Sequence, residues 1–161
     1  MFWTSTAFPV GQLFFTADGS TLTGLWMESH RALPCCSSGL YRDESPVFQE
    51  TKAWLGAYFS DRPLPSLPEL QPEGTPFQLS VWALLQEIPY GASTTYGAIS
   101  KSLQEQGISS SPQAVGGAVG RNPISILIPC HRVLGADGSL TGYAGGLAVK
   151  RRLLQLEGIR P

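Results

Sequence analysis

Hydrophobic positions gather with threonines in two short β-rich runs near the start of the chain. In "GQLFFTADGSTLTGLWME", residues 11–28, aromatic and β-branched side chains cluster on either side of Asp18-Gly19. An Asp-Gly between two such runs predicts a β-hairpin, because both residues tolerate the backbone angles of a tight turn. The period then changes. "SPVFQETKAWLGAYF" (45–59) predicts a helix with Ser45 as N-cap, Pro46 at the first helical position, and Phe48, Trp54, Leu55 and Tyr58 on its apolar face. "DRPLPSLPELQPEGTP" (61–76) holds five prolines and one glycine. That content excludes a helix interior or a central strand and predicts a partly extended linker.

Beyond the linker the spacing is helical. Phe77, Val81, Leu84, Leu85 and Ile88 fall on one face of "TPFQLSVWALLQEI" (75–88), which opens with Thr75 as N-cap and Gln78 in the capping-box position. "PYGAS" interrupts it, and "TTYGAISKSLQEQ" (94–106) places Tyr96, Ile99 and Leu103 together. Ser111-Pro112 starts a third helix, "QAVGGAVG" (113–120). "LAVKRRLLQLEG" (147–158) is a fourth, striped by Leu147, Leu153, Leu154 and Leu156 and ended by Gly158. The second and third, joined by a Gly-containing turn, have the outline of a helix-turn-helix. Each glycine in the third costs about 1 kcal/mol against alanine. Either another helix packs closely on it, or it presses its backbone into a narrow groove.

At 161 residues, with 42% hydrophobic side chains and a mean hydropathy of +0.01, the chain has enough apolar material for a core. We expect a structural α/β domain over 1–70, the Pro-rich linker at about 61–76, and a second domain over 75–161. No run approaches the roughly 18 apolar residues of a membrane span, and "MFWTSTA" lacks the features of a secretory signal. A soluble, cytoplasmic protein is expected. The net charge of −1 is unevenly shared: residues 1–74 carry four basic and eight acidic side chains, residues 75–161 seven and four. A polyanion would therefore meet the second part, where Lys150, Arg151 and Arg152 are candidates for phosphate contacts or for a solvated helix face. Cys35, Cys36 and Cys130 are odd in number and two are adjacent, so no disulfide framework is expected. His30 beside Cys35 and Cys36 sketches a metal site, but no CxxC or HxxxH spacing supports it, and none is expected.

The chemistry-bearing stretch is "ISILIPCHRVLG" (124–135), an apolar run that delivers Cys130 after Pro129 and beside His131. A thiol is a weak nucleophile until it becomes a thiolate, and an imidazole that takes its proton lowers that barrier. Glu157 is a candidate to hold the imidazole in the right tautomer. "GADGSLTGYAGG" (135–146) is a Gly-rich loop offering Tyr143 and suited to closing over a flat ligand. A Cys-His hydrolase would need an oxyanion hole, for which there is no signature. A transcriptional regulator would need base-reading side chains that the Gly-rich helix lacks.

"PCHRVLGADGSLTGYAGGLAVKRRLLQLEG", with "RNPISILI" before it and "IPYGASTTYGAIS" earlier, closely resembles the O6-alkylguanine-DNA alkyltransferases, also called methylated-DNA–protein-cysteine methyltransferases. The match runs from about Phe77 to Gly158; the first part of the chain is only compatible with the family's variable α/β domain. The resemblance implies an α+β fold: a small N-terminal antiparallel-sheet (RNase H-like) domain, then an all-helical C-terminal domain with a winged-helix-like helix-turn-helix. It implies that Cys130 takes the alkyl group from O6 of guanine in duplex DNA, once per molecule and without a cofactor, and leaves O4-alkylthymine open as a second substrate. The family's network of thiol, water and His-Glu falls on Cys130, His131 and Glu157. Asn122 matches the residue that supports the active-site turn, and Tyr96 the proton donor to the departing guanine. The Val133 carbonyl, Tyr143, Ala144 and Gly145 match the base pocket. Gln113, Ala114, Gly116 and Gly117 match the helix this family lays in the minor groove, with Thr94, Thr95 and Arg121 as further DNA-binding positions. A monomer is expected. Two positions depart: Gln113 stands where the family usually has an arginine that fills the space of the flipped base, and Ala144 where some members have serine. A lesion-binding relative that does not react is the remaining alternative, but such relatives lack the cysteine that Cys130 supplies.

Overall fold

Strand β1 (Phe2–Phe8) pairs antiparallel with β2 (Gly11–Asp18), and β2 pairs antiparallel with β3 (Thr21–Met27). A computed structural model describes residues 1–30 and 39–160 of the chain. The expected hairpin is β2–β3, with Gly19 at φ +59° in its turn. β1 was not foreseen, although "FWTSTAF" is made of the aromatic and Thr side chains that suit a pleated surface. β4 (Leu40–Tyr41) adds to β1 in parallel, giving the order β3-β2-β1-β4. The sheet is therefore mixed rather than antiparallel throughout; two paired residues are too few to leave a period in the sequence.

The inward face of β2 and β3 buries Leu13, Phe15, Ala17, Leu22, Leu25 and Met27. Helix α1 (Pro46–Phe59) covers it with Val47, Phe48, Trp54, Leu55 and Tyr58, and the Phe15 and Phe48 rings sit 6.4 Å apart. The outer edge of β3 is capped by two extended segments. The Leu22 amide donates to the Glu69 carbonyl and the Gln71 amide to the Leu22 carbonyl, both at 2.8 Å. Farther along, the Leu25 amide donates to Pro123 at 2.8 Å and Ser125 to Leu25 at 3.1 Å. An edge with unpaired amides invites aggregation, and the linker's own backbone closes it. The first compact unit accordingly comprises Met1–Glu73 with Pro123–Ser125.

The second unit comprises Gly74–Asn122 and Ile126–Pro161. Its α2 (Pro76–Gln86) starts with the foreseen capping box, Gln78 N–H to Thr75 Oγ1 at 3.2 Å and Thr75 N–H to Gln78 Oε1 at 2.9 Å. Val81 and Leu85 of its predicted stripe are buried, while Trp82 joins them by donating Nε1–H to the Ala118 carbonyl at 2.9 Å. Gly74 makes room for that indole, since a Cβ there would lie 2.6 Å from the ring. Helices α3 (Tyr96–Glu105) and α4 (Pro112–Val119) are capped by the Thr95 and Ser111 hydroxyls and joined through Gly107 at φ +80°. The unit is not all-helical: β5 (Thr94–Thr95) pairs in parallel with β6 (Val133–Leu134). In α5 (Leu147–Leu156) the predicted stripe needs correction. Leu153 and Leu154 are fully buried, but Leu147 is 47% exposed and its place on the inner face is taken by Lys150. Among the described residues, no helix is long and apolar enough to cross a membrane.

Candidate active site

Cys130, His131 and Arg132 form one turn of 3-10 helix, fixed at its start by Pro129 and followed at once by β6. The β5–β6 ladder, Thr94 opposite Val133 and Thr95 opposite Leu134, brings the start of α3 alongside this turn. The segment leading into it is strained. Ile126 is buried with φ +70°, a region that β-branched residues rarely enter. Such a conformation costs about 1–3 kcal/mol and needs surrounding structure to hold it. Asn122 supplies part of that, its Nδ2 donating to the Ile128 carbonyl at 2.8 Å.

Cys130 is 5% exposed. Burial pushes its thiol up, while the Asn122 side chain, the Lys150 charge and the backbone amides of Cys130 and His131 pull it down. Burial wins, so the resting sulfur carries its proton and needs a base. His131 sits adjacent in sequence, but its side chain turns to Glu157, with Nε2 2.5 Å from Oε2 and both side chains wholly buried.

Burial would push the Glu157 carboxyl up, but hydrogen bonds from His131 and Arg132, with the Arg132 charge, hold it below the usual carboxylate range. His131 is pushed down by burial; the Glu157 contact opposes this, and the Arg132 and Lys150 charges reinforce it. We read the pair as an ionised carboxylate and a neutral imidazole. An ionised carboxylate only accepts, so Nε2 bears the imidazole proton and Nδ1 is left as the basic atom. His131 Nδ1 is buried and has no hydrogen-bond partner among the described residues.

Two groups complete the centre: Arg132, to which the sequence gives no role, and Lys150, expected at a phosphate or in solvent. Arg132 donates through Nε to Glu157 Oε1 at 2.8 Å and through Nη1 to the Ile88 carbonyl at 2.6 Å. Lys150 is fully buried, not a phosphate contact, and donates to the carbonyls of Val133 at 2.6 Å and Thr141 at 2.8 Å. Burial lowers it to about 8. A signal for Lys150 existed: with Leu153, Leu154 and the C-cap Glu157 it continues the buried stripe of α5, where charged residues rarely sit without a partner.

The remaining candidates are placed around this core. The Thr141 hydroxyl donates to the Tyr96 hydroxyl at 3.1 Å, so Tyr96, first residue of α3, touches the 135–146 loop that Lys150 tethers. The Val133 carbonyl already accepts from Lys150, leaving one lone pair for a base. Tyr143 is half-buried, Gly145 buried and Ala144 exposed. On α4, Val115, Ala118 and Val119 face inward while Gln113, Ala114 and Gly117 are exposed, as is Arg121 beyond it. A Cβ on Gly117 would meet open space, and one on Gly116 only the Tyr96 ring at 3.8 Å, an ordinary contact. Close helix packing therefore does not account for these two glycines. Thr94 and Thr95 are half-buried, the latter's hydroxyl spent on capping.

The metal question falls partly outside the described residues, which exclude Cys35 and Cys36. His30 accepts the Met27 amide on Nδ1 at 2.9 Å. The described residues contain no cluster of three or more His, Cys, Asp or Glu that would hold a metal ion.

The model of the 6-O-methylguanine DNA methyltransferase DNA-binding domain matches residues 76–159. The methylated-DNA–protein-cysteine methyltransferase of Haemophilus influenzae is 43% identical over 161 residues, covering 99% of this chain and 87% of that protein. Its counterpart in Methanosarcina acetivorans is 43% identical over 151 residues, 93% of this chain and 94% of that one. Among solved structures, Mycobacterium tuberculosis OGT in complex with DNA superposes with a TM-score of 0.88 at 38% identity, covering 98% of this chain and 92% of that one. With more than half of its length matched by the domain model and nearly all of it by relatives above 40% identity, the chain belongs to the methylated-DNA–protein-cysteine methyltransferase family.

Proposed function

We propose that this protein repairs duplex DNA by direct reversal, moving the alkyl group of O6-alkylguanine onto Cys130 Sγ. The observation that carries the residue assignment is the buried His131–Glu157 pair, which leaves Nδ1 basic on the residue that follows a thiol kept protonated by burial. The O6 substituent is hidden in a stacked duplex, so the nucleotide is flipped out at a cost of a few kcal/mol. The Sγ proton passes through one water to His131 Nδ1, and the Lys150 charge favours the thiolate that results. Sγ attacks the alkyl carbon, the carbon–O6 bond breaks, and its electron pair stays on O6. Guanine gains a proton from the Tyr96 hydroxyl, and the proton lost by the thiol returns to Tyr96 through solvent. The products are guanine and a thioether, which has no leaving group, so each molecule acts once.

The exposed Gln113–Gly117 face of α4 supplies the DNA approach. With no neighbour requiring glycine at Gly117, the small side chains serve to admit a minor groove against the backbone. Arg121, Thr94 and Thr95 flank it. Val133, Tyr143, Ala144 and Gly145 line the place of the flipped base. Residues 75–161 carry DNA binding and transfer in a winged-helix-like arrangement, and residues 1–70 are a structural, RNase H-like domain. The protein works as a monomer on cytoplasmic DNA, without a cofactor. Mixing it with an excess of O6-methylguanine duplex tests this: one guanine is restored per protein molecule and the reaction stops. Sustained turnover, or no restored guanine, contradicts it.

A further inference from the structure

The active-site turn holds one charged side chain that alkyl transfer as set out above does not use. Arg132 is 6% exposed and its guanidinium is committed on every side. Nε donates to Glu157 Oε1 at 2.8 Å, Nη2 lies 2.6 Å from the same oxygen, and Nη1 donates to the Ile88 carbonyl at 2.6 Å. The Tyr90 ring lies 6.0 Å from its Cζ. Buried ion pairs are often no more stabilising than apolar residues of the same volume, so packing does not by itself explain an arginine here.

Its geometry does. The two Glu157 oxygens are divided between two tasks. Oε1 is saturated by Arg132 and the Gly91 amide, the latter at 3.3 Å, while Oε2 faces His131 Nε2. A buried Glu-His pair without a second cation can take up a further proton from solvent. A protonated carboxyl would donate to Nε2 and place the imidazole proton on Nδ1, where it blocks uptake of the thiol proton. Alternatively the imidazolium would form at rest, with the same consequence. The Arg132 charge held against Oε1 removes both options, because it keeps the carboxylate ionised and opposes a second positive charge on His131.

We propose that Arg132 is a positioning residue, holding Glu157 as an ionised acceptor so that His131 presents a bare Nδ1 to the thiol. This rests on the alkyl-transfer reading. The charged and titratable groups facing the pair are Arg132 and Cys130 on the turn itself, Lys150 on α5 and Tyr90 before β5. Lys150 faces the thiol and the imidazole but touches neither Glu157 oxygen in the contacts described, so it does not substitute for Arg132.

The test is single-turnover methyl transfer from an O6-methylguanine duplex between pH 5.5 and 9, for the full chain and for Arg132→Met and Arg132→Lys, with thermal midpoints measured alongside. Arg132→Met is expected to lose on the order of 100-fold in rate at neutral pH, the scale of a general base, and its acid limb moves to higher pH. Arg132→Lys keeps the charge but not the fork; its rate falls about tenfold, as for loss of a supporting contact, and its limb stays with the unsubstituted chain. A folded Arg132→Met with an unmoved limb overturns the proposal. If that variant does not fold, Arg132→Lys decides: a displaced limb despite the retained charge overturns it equally. Failure of the unsubstituted chain to transfer at any pH instead removes the alkyl-transfer reading on which the proposal rests.

Discussion

The two units of this chain differ in what they bury. The described residues of Met1–Glu73 enclose apolar side chains and three threonines, Thr4, Thr16 and Thr51, and no charged group. The second unit encloses His131, Arg132, Lys150 and Glu157 as well as a thiol, all between Cys130 and Glu157. Taking a charge out of water costs several kcal/mol even when it is paired. The described residues of the first unit bear no such cost. The second bears that cost three times, at Arg132, Lys150 and Glu157, and perturbed ionisable groups concentrated in this way mark a site of chemistry. The same unit leaves a helix face of small residues, Ala114 and Gly117, open beyond Gln113. Under the proposed function, the dense polar contacts around the thiol prepare the nucleophile and the open face of α4 lets DNA approach.

The largest expected effect is at the sulfur. Cys130→Ser removes the nucleophile without adding volume, so methyl transfer is abolished while binding to duplex DNA, measured by fluorescence anisotropy, is kept. Transfer surviving in that variant would detach the chemistry from the charged centre altogether. Glu157→Gln comes next. It strands the Arg132 guanidinium in the interior, lowering stability by about 3 kcal/mol in a denaturant titration. It also loses the ionised acceptor for His131, slowing transfer about 100-fold. A comparable buried substitution in the first unit, Leu55→Ala, is expected to lower stability by about 3 kcal/mol as well. At temperatures where it stays folded it leaves the transfer rate unchanged, and a rate loss there would erase the contrast between the units.

Gly117→Leu separates the bare face from the relay. Its Cβ points into open space, so the helix gains about 0.8 kcal/mol of propensity and the thermal midpoint holds or rises. DNA affinity falls about tenfold, equivalent to about 1.4 kcal/mol. A weakened fold with unchanged affinity would mean that the glycine serves packing. The smallest effect is at Gln113, exposed at the start of α4. Gln113→Arg restores charge and reach, and a few-fold faster repair is expected in single-turnover kinetics; an unchanged rate would show that glutamine fills the role.

The elements with long or strongly capped patterns were legible in the sequence. The Asp18-Gly19 hairpin, the Pro46–Phe59 helix and the Thr75 capping box all rest on local chemistry that a window of a few residues contains. What escaped were features held together across the chain. β4 and the β5–β6 ladder are two residues per strand, too short to show a period. Ile126 at φ +70° is imposed by its surroundings against its own preference. In the site, the sequence pointed to Cys130 and His131 by adjacency and to Glu157 as the imidazole's partner, and the structure pairs His131 with Glu157. Lys150 and Arg132 were misjudged or passed over because a charged side chain is ordinarily taken to face solvent. The clue was positional: Lys150 and Glu157 lie on the stripe with Leu153 and Leu154, and a charge on an inner face needs a partner worth finding.

The central claim is that one sulfur keeps the carbon it captures. Peptide mass mapping after incubation with an O6-methylguanine duplex tests it directly, because it distinguishes Cys130 from Cys35 and Cys36. The account predicts a single added methyl group on the peptide containing Cys130, stable to thiol reductants and equimolar with restored guanine. A methyl group on another peptide, or an unmodified Cys130 after the duplex has been repaired, would contradict it.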